Sequence, residues 1–290
     1  MTAQPPSHTV TRHYQQGDLR WKIDEALDRL YPGRSALTAD DLHRVDEFHT
    51  GGHPATRQIT EHLQLRPGMR VLDVGSGLGG PARHLAQHAH VHVTGVDLTE
   101  EYVDIARTLT DRVGLNGRTH FLRGDVTALP FPAASFDRAW MLHVGMNIED
   151  KARLFTEIGR VLTGNGLFIV YDVMLLGNPS RVSYPLPWAS QPGHSYLARP
   201  EDYRSWLREA GFDIVAESDH RPQALRSLHD LSADDANRRS GVPQNPHAPG
   251  SGPASINLAM GADAPTKIER VLQNIQEGLL APVEMVCRLR

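Results

Sequence analysis

Short apolar runs alternate with amphipathic stretches along most of this chain. Residues 71–74 are apolar enough for a buried strand, and a glycine-rich turn follows at residues 75–80. Pro81 then opens a helical pattern, because proline in the first turn of a helix loses no hydrogen bond. Strand, tight turn and helix in this order predict the first crossover of a parallel sheet.

The same alternation predicts the remaining elements. We expect further strands at residues 91–97, 120–123, 135–143, 167–173, 212–215 and 284–288. We expect helices at residues 21–31, from 38 onward, and at 54–63, 99–113, 149–162, 200–210 and 265–278. A turn at residues 163–166 leads into the fifth strand. Strands that alternate with helices indicate an α/β fold.

The helices that precede the first strand predict a separate N-terminal part. We divide the chain into a helical cap, residues 1–66, and an α/β core, residues 67–290. The core carries two insertions without strong periodicity, at residues 176–198 and 222–262. The cap has two interpretations: a lid over a binding site, with Tyr14 and Trp21 facing the pocket, or a plain cover for one sheet edge.

The glycine turn indicates a bound nucleotide-like ligand. Gly75, Gly77 and Gly79 let a ligand approach the backbone closely, and the following helix N-terminus offers free N–H groups. Asp97 ends the second strand about twenty residues later, where an acidic residue binds ribose hydroxyls. The pattern alone leaves a nicotinamide cofactor and other adenosine-containing cofactors open.

Three features in order resemble the class I S-adenosylmethionine-dependent methyltransferases. Asp73 precedes the glycine turn, Asp125 and Val126 close the third strand, and a fourth strand ends at His143. The resemblance covers roughly residues 45–220. It implies S-adenosyl-L-methionine as cofactor and a Rossmann-like, seven-stranded, mostly parallel sheet with an antiparallel last strand, helices on both faces and an N-terminal helical lid. It also implies cofactor contacts from Thr50, Gly51, Asp73, Gly75, Gly77, Gly79, Asp97, Leu98, Asp125, Val126 and Leu142.

Further segments are similar to the sarcosine/dimethylglycine and phosphoethanolamine N-methyltransferases. They are Thr50-Gly51-Gly52, residues 143–155, and residues 184–188. This resemblance implies a small amine or ring nitrogen as methyl acceptor, with His143 as the catalytic residue that orients or deprotonates it. His143 also has a structural interpretation, a neutral histidine bonded at a strand end. We expect the acceptor pocket to include Tyr14, Trp21, Met146, Asn147, Tyr171, Tyr184, Trp188, His194 and Tyr196.

Two other functions stay open at this point. An O- or C-methyltransferase of a secondary metabolite would use the same cofactor motifs, because the acceptor atom is not written in them. A noncatalytic cofactor-binding subunit is also compatible with the fold, although the intact glycine turn and Asp97 argue against it. The sequence carries no signal of oligomeric state.

Composition and charge limit the kinds of ligand and partner that we expect. The formal net charge is -4 with no basic cluster, which argues against nucleic acid as substrate. The single cysteine, Cys287, cannot form an internal disulfide, and neither a signal peptide nor a membrane span is visible, so we expect a cytoplasmic protein. Sixteen histidines are scattered, and no His-x-x-x-His sits beside a carboxylate in the sequence, so we expect no metal.

Overall fold

The computed structural model describes residues 18–229 and 263–290. Its strands are β1 (Arg70–Val74), β2 (His92–Asp97), β3 (Thr119–Arg123), β4 (Phe136–Leu142), β5 (Leu162–Leu175), β6 (Phe212–Asp219) and β7 (Leu280–Leu289). Its helices are α1 (Leu19–Leu30), α2 (Ala39–Asp46), α3 (Gly52–His62), α4 (Gly80–His88), α5 (Glu100–Arg112), α6 (Lys151–Val161), α7 (Pro200–Glu209) and α8 (Ala264–Gln276). Residues 221–229 are also helical.

The seven strands form one sheet in the order β3-β2-β1-β4-β5-β7-β6. β1 pairs in parallel with both β2 and β4, and β7 runs antiparallel to its two neighbours. The predicted fold class, a Rossmann-like mostly parallel sheet with an antiparallel last strand, is confirmed. The strand order reverses between β1 and β4, and open α/β sheets bind ligands in the crevice that forms there, at the carboxyl ends of the strands.

Helices cover both faces of the sheet, and alternate residues of each strand pack against the helices on opposite sides. On β4, Ala139 and Met141 pack toward α6 and α7, whereas Trp140 and Leu142 pack toward α3, α4 and α5. The central strands are therefore buried on both faces, which explains their continuous apolar character.

The cap, helices α1 to α3, packs against the core through all three helices. Leu19, Ile23 and Leu27 on α1 are fully buried together with Leu42 of α2 and Ile105 of α5. Thr38 caps α2 through a capping box with Asp41, which accepts hydrogen bonds from the backbone N–H and the hydroxyl of Thr38. The helix start predicted at residue 38 lies there.

Several predicted boundaries differ from the structure, most clearly in the last three strands. The turn predicted at residues 163–166 lies inside β5, which begins at Leu162 because that residue already pairs with Phe136; Asn165, at φ +62°, bends the strand. The last two strands are longer than predicted, because they pair with each other from Phe212 to Asp219. Exposed polar residues in that stretch hid the continuation.

Among the helices of residues 18–229 and 263–290, none is long and apolar enough to cross a bilayer.

The segment at residues 176–198 contains two short 3₁₀ turns, Pro179–Arg181 and Pro192–His194. It otherwise has no regular structure apart from an isolated bridge between Leu186 and Ala189.

Candidate active site

A cavity of about 430 Å³ lies at the carboxyl edge of the sheet, beside the point where the strand order reverses. Its wall begins with the cap segment at residues 46–50 and continues with the ends of β1, β2, β3 and β4. The far end is closed by Trp188 from the 176–198 segment and by Ile268 and Val271 from α8. Sheet, cap and insertion therefore all contribute to one site.

The glycine turn between β1 and α4 forms the floor of this cavity. Gly75 and Gly77 have φ values of +71° and +52°, and a Cβ atom on Gly75 would overlap Val144. Open space surrounds the position of a Cβ on Gly77. Glycine is needed at both positions for the backbone conformation, and at Gly75 also for packing.

Asp97 ties the second strand to this turn. One of its carboxylate oxygens accepts the N–H of Gly77 at 2.9 Å, and the other accepts the N–H of Thr99 at 2.8 Å. Burial raises the pKa of Asp97, while these backbone donors act in the opposite direction. The carboxylate therefore orders the glycine turn as well as facing the cavity.

Asp73 is a second buried carboxyl in the wall. Burial raises its pKa to about 7, and the charge of nearby Asp97 adds to the rise. Within the described part of the chain, Oδ2 of Asp73 and the hydroxyl of Ser76 have no hydrogen-bond partner. Buried polar groups are normally paired, so these two atoms mark a place suited to a polar or cationic ligand group.

His143 follows the last residue of β4 and faces the cavity. Its φ is +55°, a left-handed conformation uncommon outside glycine, and its backbone N–H donates to the carbonyl of Tyr171 at 2.7 Å. Burial holds the pKa of His143 well below its usual value, and His49 lowers it further. The imidazole is therefore neutral near pH 7.

The hydrogen bonding of His143 distinguishes its two ring nitrogens. The backbone N–H of Thr50 donates to Nδ1 at 3.4 Å, so the proton of the neutral ring belongs on Nε2. Nε2 is buried without a partner among the described residues. His143, which lines the cavity, thus carries a buried N–H donor without a partner.

Tyr171 packs against the ring of His143 and helps to hold it in place. Its ring stacks on His143 at a centroid distance of 5.0 Å, and its hydroxyl donates to the carbonyl of Thr50 at 3.0 Å. Thr50 therefore bonds both residues, one through its N–H and the other through its carbonyl. This couples the cap segment to the ends of β4 and β5.

Asp46, the last residue of α2, anchors the other side of the cap segment. Its carboxylate pairs with Arg83 of α4 at 2.7 Å, and both side chains are buried. Arg83 also donates to the carbonyls of Leu78 and Ala106. Burial raises the pKa of Asp46 to about 6, against the opposing charge of Arg83. Because the pair is buried, loss of either partner would leave an uncompensated charge.

The far end of the cavity is mostly apolar. Met146 and Trp188 belong to the same buried cluster as Leu228, Ile268 and Val271. The indole N–H of Trp188 donates to the hydroxyl of Ser195 at 2.9 Å, so that polar atom is already satisfied inside the protein. One cation also reaches this end of the cavity: Lys267, which pairs with Asp263 at 3.2 Å.

The structure brings most of the residues predicted from sequence into this cavity. The lining includes Thr50, Asp73, Gly75, Gly77, Asp97, Leu98, Asp125, Val126, Leu142, His143, Met146, Asn147 and Trp188. For the residues at strand ends this placement follows from topology, because the carboxyl ends of parallel strands meet at one edge.

Other predicted cofactor residues lie behind the wall rather than in it. Gly51 and Gly79 are not among the described residues that line the cavity. Gly51 caps α3 at φ +93°, and a Cβ on Gly79 would overlap Phe121. Both glycines serve close packing of the backbone.

Several predicted acceptor-pocket residues are placed elsewhere. Trp21 is 66% exposed on the outer face of α1, because Leu19 and Ile23 occupy the inner face. Tyr171 is buried behind His143, and Tyr184 packs at the side of the apolar cluster. The remaining predicted residues are His194, exposed beside Gln191, Tyr196, which lies outside the lining, and Tyr14, which falls outside the described residues.

Sequence reasoning also missed residues that line the cavity. Phe48 and His49 directly precede Thr50, so the motif at residues 48–52 could have indicated them. Asp46 and Ile268 carried no local signal, because each acquires its place only through the packing of distant segments.

Comparison with known proteins agrees with this geometry. Residues 72–170 match a family model described as a methyltransferase domain. The chain contains a methyltransferase domain. The matched segment begins within β1 and ends within β5, and thus holds the glycine turn, Asp97 and His143 of the domain.

Relatives of this methyltransferase domain differ in substrate. The chain is 30% identical over 215 residues to 24-methylenesterol C-methyltransferase 2 of Oryza sativa, covering 72% of this chain and 55% of that protein. The chain spans about half the length of such curated relatives. Their similarity therefore supports the shared domain and leaves the acceptor undetermined.

Solved structures share the fold at lower identity. Phosphoethanolamine N-methyltransferase 2 of Haemonchus contortus has a TM-score of 0.72 at 18% identity, covering 99% of this chain and 61% of that one. The cyclase SpnF has a TM-score of 0.69 at 21% identity, covering 98% and 97%. A methyltransferase and a cyclase on one fold mean that function must be argued from the site.

Proposed function

We propose that this protein transfers a methyl group from S-adenosylmethionine to a small molecule, and that the acceptor atom is an amine or ring nitrogen. The observation that carries the proposal is the single cavity in which the glycine turn, Asp97 and Asp125 lie next to His143. One end has the groups that an adenosine-containing cofactor needs. The other end accommodates an acceptor.

The polar end fits the cofactor. Asp97 and the open backbone at Gly77 suit a ribose and the chain attached to it, while Asp125 and Val126 line the cavity where they would flank adenine. The unpartnered Oδ2 of Asp73 suits the positive charge of the cofactor's methionine part. When bound, S-adenosylmethionine supplies an electrophilic methyl group on a sulfonium.

The residues of this chain would then act by position. In-line displacement needs the acceptor atom, methyl carbon and sulfur aligned at near-contact distance. His143 would orient the acceptor through its Nε2–H, and Met146 and Trp188 would hold the acceptor's apolar body. The cap segment at residues 46–50 would exclude water from the sulfonium.

Two observations support the nitrogen acceptor predicted from sequence. The segments at residues 143–155 and 184–188 resemble N-methyltransferases, and the imidazole of His143 is neutral. At the far end of the cavity, Lys267 pairs with Asp263. An amine that reacts in its neutral form fits such a pocket better than a permanent cation. The amine must first lose its proton to solvent water, before it binds as the nucleophile.

A second candidate is methyl transfer to oxygen or carbon of an apolar metabolite. The apolar end formed by Trp188, Leu228, Ile268 and Val271 favours it, because such a surface suits an acceptor with a hydrocarbon body. The rice relative is named for C-methylation of a sterol.

The test is methyl transfer from labelled S-adenosylmethionine to a panel of amines, N-heterocycles, phenols and terpenoids, with mass spectrometry of the product. We expect a nitrogen compound to be methylated. A product methylated only on oxygen or carbon would support the second candidate. Binding of S-adenosylhomocysteine without turnover on any acceptor class would favour a cofactor-binding role instead.

Asp97→Ala provides the control for the cofactor site. Losing its charge-assisted hydrogen bonds should weaken S-adenosylhomocysteine by about 1.5–3 kcal/mol in calorimetry. Exposed Asp104, on the outer side of α5, is the matched control, and Asp104→Ala should bind as the unchanged protein does. Equal affinity in all three proteins would contradict the assignment of the cofactor end.

A further inference from the structure

Four histidines from three helices meet outside the cavity. His43 of α2 stacks on His53 of α3 at 4.8 Å between ring centroids, His53 meets His84 of α4 at 5.0 Å, and His84 meets His88 at 4.6 Å. Asp40, near the start of α2, is 2.8 Å from Nε2 of His88. We call these five residues the histidine cluster.

Three members of the histidine cluster converge on one point. Asp40, His53 and His84 each offer a ligand atom, and these atoms lie within 4.8 Å of one another. None of the three lines the cavity. Bonds of about 2.0–2.1 Å to a tetrahedral ion would bring such atoms to roughly 3.4 Å apart, a contraction that side-chain rotation can supply.

His84 is the most constrained of the three. Its side chain is 7% exposed, and Nδ1 has no hydrogen-bond partner among the described residues. A buried ring nitrogen without a partner is a position that a ligand can complete.

Glu47 holds the ring of His53 in an orientation that suits metal binding. Nδ1 of His53 is 2.9 Å from Oε1 of Glu47, which leaves Nε2 of His53 for a ligand. The other carboxylate oxygen of Glu47 accepts from the hydroxyl of Thr56 at 2.7 Å. A carboxylate behind a histidine is the usual support of a metal-binding imidazole.

We propose that Asp40, His53 and His84 bind one divalent transition-metal ion of the zinc class, which fastens cap helices α2 and α3 to α4. Two imidazoles and a carboxylate are ligands that zinc accepts, and water would complete the four positions. Asp40 is exposed, so an ion has access from solvent. The expectation of no metal rested on residues that are neighbours in sequence, whereas Asp40 lies far from His84 in the chain and near it in the fold.

The test is metal content and affinity of the full chain, purified without a histidine tag. After chelator treatment and incubation with Zn²⁺, we expect about one equivalent to remain through gel filtration, measured by elemental analysis. His53→Gln, His84→Gln and Asp40→Asn should each lower Zn²⁺ affinity by at least about 10-fold, and Glu47→Gln, which removes the support, should lower it by about 10- to 100-fold. Exposed His120 on β3 is the matched control, and His120→Gln should keep the equivalent.

Melting temperature gives an independent readout. Because the ion would bind only the folded protein, Zn²⁺ should raise the Tm of the unchanged chain and of His120→Gln but not of His53→Gln. If His84→Gln fails to fold, His53→Gln and Asp40→Asn decide the question. Zn²⁺ retention equal in these variants and in His120→Gln would overturn the proposal. So would loss of the equivalent in His143→Gln alone, which would assign the ion to the cavity.

Discussion

Asp73 has a carboxyl group whose charge the fold disfavours. Its pKa of about 7, raised first by burial, compares with an ordinary value of 3.8. A carboxyl with a raised folded-state pKa contributes stability at low pH that is lost as the pH rises through the folded-state value. The protein should therefore lose stability as the pH rises from 3.8 to about 7, because the unfolded chain ionises this carboxyl in that range while the folded chain keeps it protonated.

Asp73→Asn should remove this loss. At pH 8 we expect the variant to exceed the unchanged protein by roughly 2–4 kcal/mol in the free energy of unfolding, a difference that should shrink as the pH falls below 7. Urea unfolding at pH 8 and pH 5.5 measures it. Affinity for S-adenosylhomocysteine should fall about tenfold or more. A variant less stable at pH 8 would show that the protein already compensates the charge.

His143 should affect turnover without affecting cofactor affinity. His143→Asn removes the Nε2–H donor while asparagine tolerates the left-handed backbone at φ +55°. We expect turnover to fall by about 10²-fold, with S-adenosylhomocysteine affinity nearly unchanged. Equal losses in turnover, cofactor affinity and Tm would instead assign His143 a structural role.

The pH profile tests the same residue independently. Because the pKa of His143 lies well below 6.5, its ring stays neutral from pH 8 down to pH 6.5 and should cause no loss of rate there. Any loss of rate that His143 itself causes should appear only at more acidic pH, where the ring gains a proton. A fall centred near pH 6.5 that disappears in His143→Asn would contradict the burial argument.

At the scale of single residues, spacing predicted the groups that follow strand ends. Asp97 and His143 each end a recognisable apolar run, so topology fixes their place at the sheet edge. Pairs such as Asp46 with Arg83 could not be predicted, because 37 residues separate the partners and each looks like an ordinary helix-surface charge.

Among the elements, helix α1 shows where helical periodicity can mislead. The spacing from Trp21 to Leu30 predicted a helix, and the helix is there, but Trp21 points outward. Leu19, Ile23 and Leu27 form the buried stripe instead, since it includes a residue before the predicted start. The periodicity predicted the helix correctly. Because the predicted helix left out Leu19, the wrong face of it was assigned to the core.

A matched pair of variants tests the orientation of α1. Ile23→Ala deletes fully buried apolar atoms, so we expect a loss of about 2–4 kcal/mol in the free energy of unfolding. Trp21→Ala, at a position 66% exposed, should change stability by less than about 0.5 kcal/mol and leave turnover unchanged. Denaturant melts and a turnover assay measure both. A large loss of turnover in Trp21→Ala would restore that side chain to the acceptor pocket.

For the molecule as a whole, the cavity joins segments that are otherwise held separately. The cap segment at residues 46–50, the turn after β1 and the ends of β2 to β4 all meet there. The parallel sheet predicted from sequence places the last four, because the carboxyl ends of parallel strands share an edge. The cap and α8 depend on packing across more than a hundred residues, which no local pattern encodes.

A ligand that contacts all these segments should stabilise the whole fold. A ligand that binds the folded chain but not the unfolded one raises the free energy of unfolding by RT ln(1 + [L]/Kd). This is about 2.7 kcal/mol at a ligand concentration one hundred times the Kd. For a domain of this size that is roughly 5–10 °C in Tm, so S-adenosylhomocysteine should raise Tm by that amount at such an excess. At the same concentration Asp97→Ala should show a much smaller rise and Asp104→Ala the full one. Two transitions with only one shifted by ligand would mean that cap and core unfold separately, and that the cavity does not unite them.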